Sequence, residues 1–161
     1  MAVSYQHLAP IIVASMRHRG PHVPAATNAT WEELILWASP RRLLGRRPDL
    51  RGVGLLWDDP RQWPADQRRY DVGVPVDPID SQIIEAPAFL TLTLPGTYGV
   101  VRHTGPYSEI PAVIEHALTV DMPMTGHELV AAPILELYRN SPADFLESEL
   151  VTDICIPVTK L

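Results

Sequence analysis

Cysteine is nearly absent: Cys155 stands alone, so no internal disulfide can form, and a reducing compartment suits the chain. Its place between Ile154 and Ile156 reads as a core thiol. No apolar segment approaches the about 20 residues of a membrane span, and residues 1–10 lack the basic start and apolar stretch of a secretory leader. A cytoplasmic protein with no membrane partner is expected. Basic residues are scarce in the second half, where residues 81–161 carry 3 against 10 acids, while residues 1–80 carry 10 against 9. That acidic field opposes the phosphate contacts on which nucleic-acid affinity rests, so no direct nucleic-acid partner is expected. Arg41, Arg42, Arg46, Arg47 and Arg51 read as a solvated basic loop. Gly20-Pro21 and Gly105-Pro106 supply one glycine each and no phosphate-loop lysine, which removes nucleotide binding. His18 and His22 are four apart but straddle the Gly20-Pro21 break, so they cannot share a helical face as zinc-protease ligands do. No metal and no cofactor is expected. Ser108 and Ser141 lack the glycine-flanked setting of a nucleophile, and no catalytic residue is assigned.

What the chain does have is recurrence. Arg17-His18-Arg19-Gly20-Pro21-His22 returns as Arg102-His103-Thr104-Gly105-Pro106-Tyr107. Pro64-Ala65-Asp66 returns as Pro142-Ala143-Asp144, and Asp71-Val72-Gly73-Val74-Pro75-Val76 as Asp153-Ile154-Cys155-Ile156-Pro157-Val158. The three echoes keep their order at unequal offsets, so the repeated unit is a half-domain with loops of different length, too long for a solenoid repeat. With 46% hydrophobic residues to fill a core, residues 1–161 form one expected domain of two half-repeats, about 8–80 and 88–158. Two such halves meet at a pseudo-twofold seam, a favoured place for a ligand cleft.

Each half reads as β-α-β-β, giving an α+β fold with duplicated units. Leu8 to Met16 is an apolar, β-branched run and reads as a strand. Trp31, Leu34, Ile35 and Ala38 lie on one helical stripe, with Trp31 read as helix-face core, and Ser39-Pro40 ends that helix. Val53 to Trp57 and Tyr70 to Val76 are the next two strands. A linking strand, Ala88 to Leu94, leads to Thr97 to His103. Ser108 is the expected cap of a second helix with Pro111 in its first turn and a stripe of Ile110, Val113, Ile114, Ala117 and Leu118. Pro133 to Tyr138 and Leu150 to Val158 close the second unit.

Glu136 interrupts an otherwise apolar strand. Because strand side chains alternate, Ile134, Glu136 and Tyr138 point one way, and Leu135 and Leu137 point the other, into the expected core beneath the helix. The matching stretch of the first half places Leu55 and Trp57 on the equivalent surface, with Tyr70 on the next strand. The residues thus imply an aromatic cleft with one acid. Taking a lone carboxylate out of water costs several kcal/mol, so it needs a donor, a proton or a cationic ligand. On the residue pattern alone, an acid that pairs with an arginine or faces solvent from an edge strand is the favoured reading.

Several segments resemble the GyrI-like family of small-molecule-binding domains, found also as effector-binding domains of multidrug regulators. They are Leu94-Pro95-Gly96-Thr97-Tyr98-Gly99-Val100-Val101-Arg102-His103-Thr104-Gly105-Pro106-Tyr107, Leu135-Glu136-Leu137-Tyr138 and Thr152 to Val158, with Trp31-Glu32-Glu33-Leu34 and Leu56-Trp57-Asp58-Asp59-Pro60 in the first half. The resemblance spans about residues 8–158 and implies a stand-alone member, two units related by a pseudo-twofold, and antiparallel sheets framing a central groove with the two main helices packed behind. It also implies that Glu136 matches the family's pocket glutamate, which contacts cationic aromatic ligands, with Tyr107, Tyr138, Trp57 and Tyr70 as pocket aromatics. The expected function is binding of amphipathic, cationic small molecules as a sensor or sequestering agent. Two alternatives stand beside it. One is hydrolysis of strained electrophiles, with Glu136 as base and Tyr107 or Tyr138 as donor; the other is inhibition of DNA gyrase, for which no segment specifies the contact and the protein partner is unknown.

Overall fold

Pro10 divides the run expected as one strand from Leu8 to Met16. In the computed structural model, which describes residues 3–161, β1 (Ser4–Leu8) ends before that proline and β2 (Ile12–Arg19) begins after it. α1 (Pro24–Ala38) follows, entered through a proline in its first turn, where the missing N–H is no loss. It ends at Ser39-Pro40 as its sequence requires, in a 3₁₀ turn, Ser39–Arg41. Its buried stripe is rotated from expectation: Thr27, Leu34, Trp37 and Ala38 face the core, whereas Ile35 is exposed and Trp31 half-buried. β3 (Gly52–Leu56), β4 (Arg69–Pro75), β5 (Phe89–Leu92) and β6 (Gly96–Thr104) come next.

The second helix starts without the expected serine cap. Ser108 lies inside a 3₁₀ turn, Tyr107–Glu109, and α2 (Ile110–His116) begins with Pro111 in its first turn. A wider π turn, Ala117–Asp121, carries it into α3 (Met122–Met124). Ile110, Ile114, Ala117 and Leu118 are buried, as the stripe predicts, and Val113 packs at their margin. β7 (His127–Leu129), a short strand not foreseen in the sequence, precedes β8 (Ile134–Tyr138) and β9 (Val151–Lys160).

All strand pairs are antiparallel, in the order β1-β6-β9-β8-β3-β4-β2-β5, with β7 added to β9. β3 and β8 pair in the middle, with Gly54 opposite Glu136 and Gly52 opposite Tyr138. β1 and β2 stand near opposite ends of this order but are joined by only three residues, Ala9 to Ile11. β5 and β6 are likewise joined only by Thr93 to Pro95. The sheet must therefore roll until its ends approach each other, beyond the ordinary twist of a sheet. Thr93 N–H donates to the Ile11 carbonyl at 3.0 Å, and Ile11 N–H donates to Thr93 Oγ1 at 2.8 Å, which fastens the two links together.

The roll creates two apolar layers. On the outer face α1 and α2 cover Ala14, Met16, Tyr70, Val72, Ile134, Tyr138, Ile154 and Ile156. Inside the roll Val13, Val53, Leu55, Tyr98, Leu135, Leu137 and Cys155 pack on one another without a helix. This reverses the expected orientation: Leu135 and Leu137 are not the residues beneath the helices, and the helices do not stand behind the acid's face but on it. β5 is an edge strand, and its Leu90 and Leu92, with Leu94 just beyond it, are exposed. Among the described residues, no helix is long and apolar enough to cross a membrane.

Leu55 is fully buried in the inner layer, so Leu55→Ala is expected to cost about 2–5 kcal/mol. Leu90→Ala on the exposed edge should stay within about 0.5 kcal/mol. Urea unfolding of both variants checks the contrast.

Candidate functional site

Glu136 sits at the centre of β8 on the helix-covered face and is only 1% exposed. Its two oxygens are treated differently. Oε1 accepts from the Tyr138 hydroxyl at 2.5 Å and from the Tyr70 hydroxyl at 3.2 Å, and the two phenol oxygens are themselves 2.6 Å apart. Oε2 lies 2.6 Å from Nε2 of His22 but takes no well-aligned hydrogen bond. Burial alone pushes the carboxyl pKa up. The attraction of His22 and the hydrogen bonds donated by Tyr138 and Tyr70 outweigh it and hold Glu136 below its ordinary value. The group is a carboxylate in a dry place. Burial followed by the nearby negative charge raises the phenols in turn: Tyr107 to about 12, Tyr70 and Tyr138 well above their usual value. All three remain neutral donors at physiological pH.

A missing side chain makes this cluster possible. A Cβ on Gly54 would stand 2.0 Å from the Tyr70 hydroxyl and 2.7 Å from the ring carbon that bears it. Glycine at that β3 position, directly across from Glu136, lets a phenol from β4 pass over β3 to the acid on β8. Gly52 does the same for packing, since a Cβ there would crowd Trp31 and Tyr138 at 3.2 and 3.3 Å.

Two clefts flank the acid. One, of about 340 Å³, is walled by Trp31 and Ile35 of α1 together with Gly52, Tyr107 and Tyr138. Its rings are arranged edge to face: Trp31 lies 5.5 Å from Tyr138 at 76°, and Tyr107 lies 5.1 Å from it at 60°. The other cleft, of about 350 Å³, is lined by His22, Leu56, Arg61, Arg68, Ile114 and Glu115. The His22 and Tyr70 rings lie 4.4 Å apart, tilted by 35°. Tyr138 closes the first cleft off from Glu136, and His22 closes the second.

Of the residues singled out in the sequence, the structure gathers Glu136, Tyr138, Tyr70 and Tyr107. Ile134 shares their face but is buried below the second helix and lines neither flanking cleft. Leu55 and Trp57 lie on the opposite face. Leu55 pairs with Leu135 in the inner layer, and the Trp57 indole donates to Asp71 Oδ2 at 2.6 Å beside Arg17. The cause is register: Gly52, Gly54 and Leu56 of β3 share the acid's face, one position away from the alignment assumed for Leu55 and Trp57. Trp31, assigned to core, stands in a cleft wall.

His22 and Gly54 were missed. His22 occupies the same place in its Arg-His-x-Gly-Pro-x motif as Tyr107 in the second copy, and that equivalence was the available signal. The other motif histidines hold turns: Nε2 of His18 and of His103 lie 3.2 and 3.0 Å from the carbonyls of Pro21 and Pro106. The basic loop is less solvated than expected, because Arg46 forms a two-pronged pair with the buried Asp80 and Arg41 lies over Trp37 at 4.5 Å.

A rolled antiparallel sheet with a buried acid under two helices and between two clefts defines a small-molecule-binding class of protein. The chain belongs to the GyrI-like family: residues 1–159 match its GyrI-like small molecule binding domain. It is 30% identical over 152 residues to the "Probable transcriptional regulator YgiV" of Escherichia coli strain K12, covering 92% of this chain and 90% of that protein. Its fold is also that of SAV2435 bound to tetraphenylphosphonium, with TM-score 0.69, 18% identity and coverage of 99% and 94% of the two chains. The EcmrR C-terminal domain superposes with TM-score 0.72 at 17% identity, covering 99% and 98%.

Gly54→Ala is expected to lower stability by about 1–3 kcal/mol by forcing the Tyr70 phenol away. Tyr70→Phe should reduce that penalty, a coupling that a double-mutant cycle reads. Glu136, held low when folded, stabilises the protein above the ordinary carboxylate pKa of about 4.3 and loses that contribution as pH falls below it. Acid unfolding followed by circular dichroism should therefore fall more steeply for the wild type than for Glu136→Gln.

Proposed function

We propose that this chain captures amphipathic, aromatic small molecules carrying a positive charge, as a sensor or sequestering protein, and that Glu136 is the counter-charge. The carrying observation is a carboxylate, 1% exposed and held in its ionised form, among three phenols and between two clefts. A buried charge of this kind favours an opposite charge strongly, since the low-dielectric surroundings screen little. Each ring available to a cation adds roughly 0.5–2 kcal/mol. Trp31, Tyr107 and Tyr138 supply such rings along one cleft wall. A structural neighbour bound to tetraphenylphosphonium and a relative named as a probable regulator favour the same reading.

Hydrolysis is the weaker reading, although a fold neighbour is described as a hydrolase from Listeria innocua (TM-score 0.56, 14% identity). A carboxylate whose pKa is lowered is a poorer base, and Glu136 is sealed from the water it would activate. The reading extends to a single domain built from two related halves. Its supports are the three ordered sequence echoes and a strand order in which β6-β9-β8 meets β3-β4-β2 at the central pair. Capture without nucleic-acid contact fits the acidic second half, and one buried free thiol suits a cytoplasmic setting.

Tetraphenylphosphonium is expected to bind saturably, as read by isothermal calorimetry. Glu136→Gln should weaken it about tenfold or more, because the buried counter-charge is lost while the shape of the side chain is kept. Triphenylphosphine oxide, its neutral counterpart, should change little. Equal loss for both would sink the role of Glu136.

A further inference from the structure

We infer that His22 is the residue that sets charge selectivity: its imidazole occupies the cation position at Oε2 of Glu136, and a ligand's cationic group binds by taking that position from it. The inference rests on the cation-capture reading above. It begins from the inequality of the two oxygens. Oε1 is held by two phenols on the central strands β4 and β8, whose backbones are fixed by pairing on both sides. Oε2 has only His22, at 2.6 Å and without an aligned hydrogen bond.

The carriers of these groups differ as well. His22 lies in the short stretch between Gly20-Pro21 and the start of α1 at Pro24, outside any helix or strand. Gly20 there has φ +130°, a conformation that glycine adopts freely. Rotating the His22 side chain out of line breaks one contact to the acid and one ring contact, with Tyr70 at 4.4 Å. Displacing Tyr138 instead would break two hydrogen bonds and two aromatic contacts. The cheaper opening joins Oε2 to the cleft of about 350 Å³ that His22 already lines.

Removal of the imidazole without replacement leaves a carboxylate buried and half-satisfied, which is costly. A neutral ligand cannot restore the balance, whereas a cation can. Specificity then comes from what the site loses as much as from what it gains. The charged and titratable groups around His22 are Glu136 on β8, Tyr70 on β4, Glu115 on α2, and Arg61 and Arg68 in the β3–β4 connection. Arg61 is committed to Asp59, and Arg68 to the carbonyls of Pro60 and Trp63, so neither reaches the acid's place.

The test is binding of tetraphenylphosphonium and of neutral triphenylphosphine oxide to the whole chain by isothermal calorimetry. His22→Ala, which vacates the imidazole's place, is expected to bind the phosphonium about tenfold tighter than wild type and the neutral oxide with unchanged affinity. In the wild type, saturation with the phosphonium should shift the nuclear magnetic resonance signals of the His22 ring as it leaves Tyr70, a measurement that stands even if the variant fails to fold. Binding that depends on Glu136 but leaves the His22 ring signals unmoved, or a phosphonium affinity unchanged by His22→Ala, overturns the role of His22 and leaves the cation site standing. No binding of the probe by wild type overturns both.

Discussion

The structure turns on one desolvated carboxylate. Leaving Glu136 bare in the interior would cost several kcal/mol, and no single partner offsets this. Three residues do so together, from the loop before α1, from β4 and from β8 itself. Each needs the fold to bring it there. Tyr70 needs a glycine beneath it, His22 needs the Gly-Pro turn that ends β2, and Tyr138 needs the alternation of its own strand. The roll of the sheet and the position of the helices are therefore part of the electrostatics, because they decide how dry the acid is.

The two faces of the sheet divide the work. Outside, beneath α1 and α2, polar and aromatic groups share space with the core. Inside the roll packing is apolar, and Cys155 is buried enough for its thiol to be pushed up to about 12. At the margin of that inner face, acids are paired with arginines: Arg17 with Asp71, and both Arg102 and Arg139 with Asp153. Those carboxylates have fixed cationic neighbours. Glu136 has none, since its only basic contact is an imidazole on a loop.

Much of this was legible in the sequence because it is local. Period-2 alternation put Ile134, Glu136 and Tyr138 on one face, helix stripes placed α1 and α2, and the recurring Arg-His-x-Gly-Pro-x segment marked two strand-to-helix turns. What failed was non-local. Which face the helices cover could not be read, because residues on both faces of β8 are apolar. Leu55 and Trp57 were assigned by analogy between strands, and a slip of one residue inverts every side chain. The spacing of His22 from His18 says nothing of its partner, which is an acid on a distant strand. Strand termini such as β1 and β7 were lost because short, half-exposed strands carry little pattern.

The pairing of Gly54 with Glu136 has a consequence for valence. At the centre of the β3–β8 pair one member is an acid and the other has no side chain, its space given to an uncharged phenol. The buried centre of this pair therefore carries a single carboxylate. Any further acid that a ligand meets, such as Glu115, lies exposed on a cleft wall and outside this buried centre.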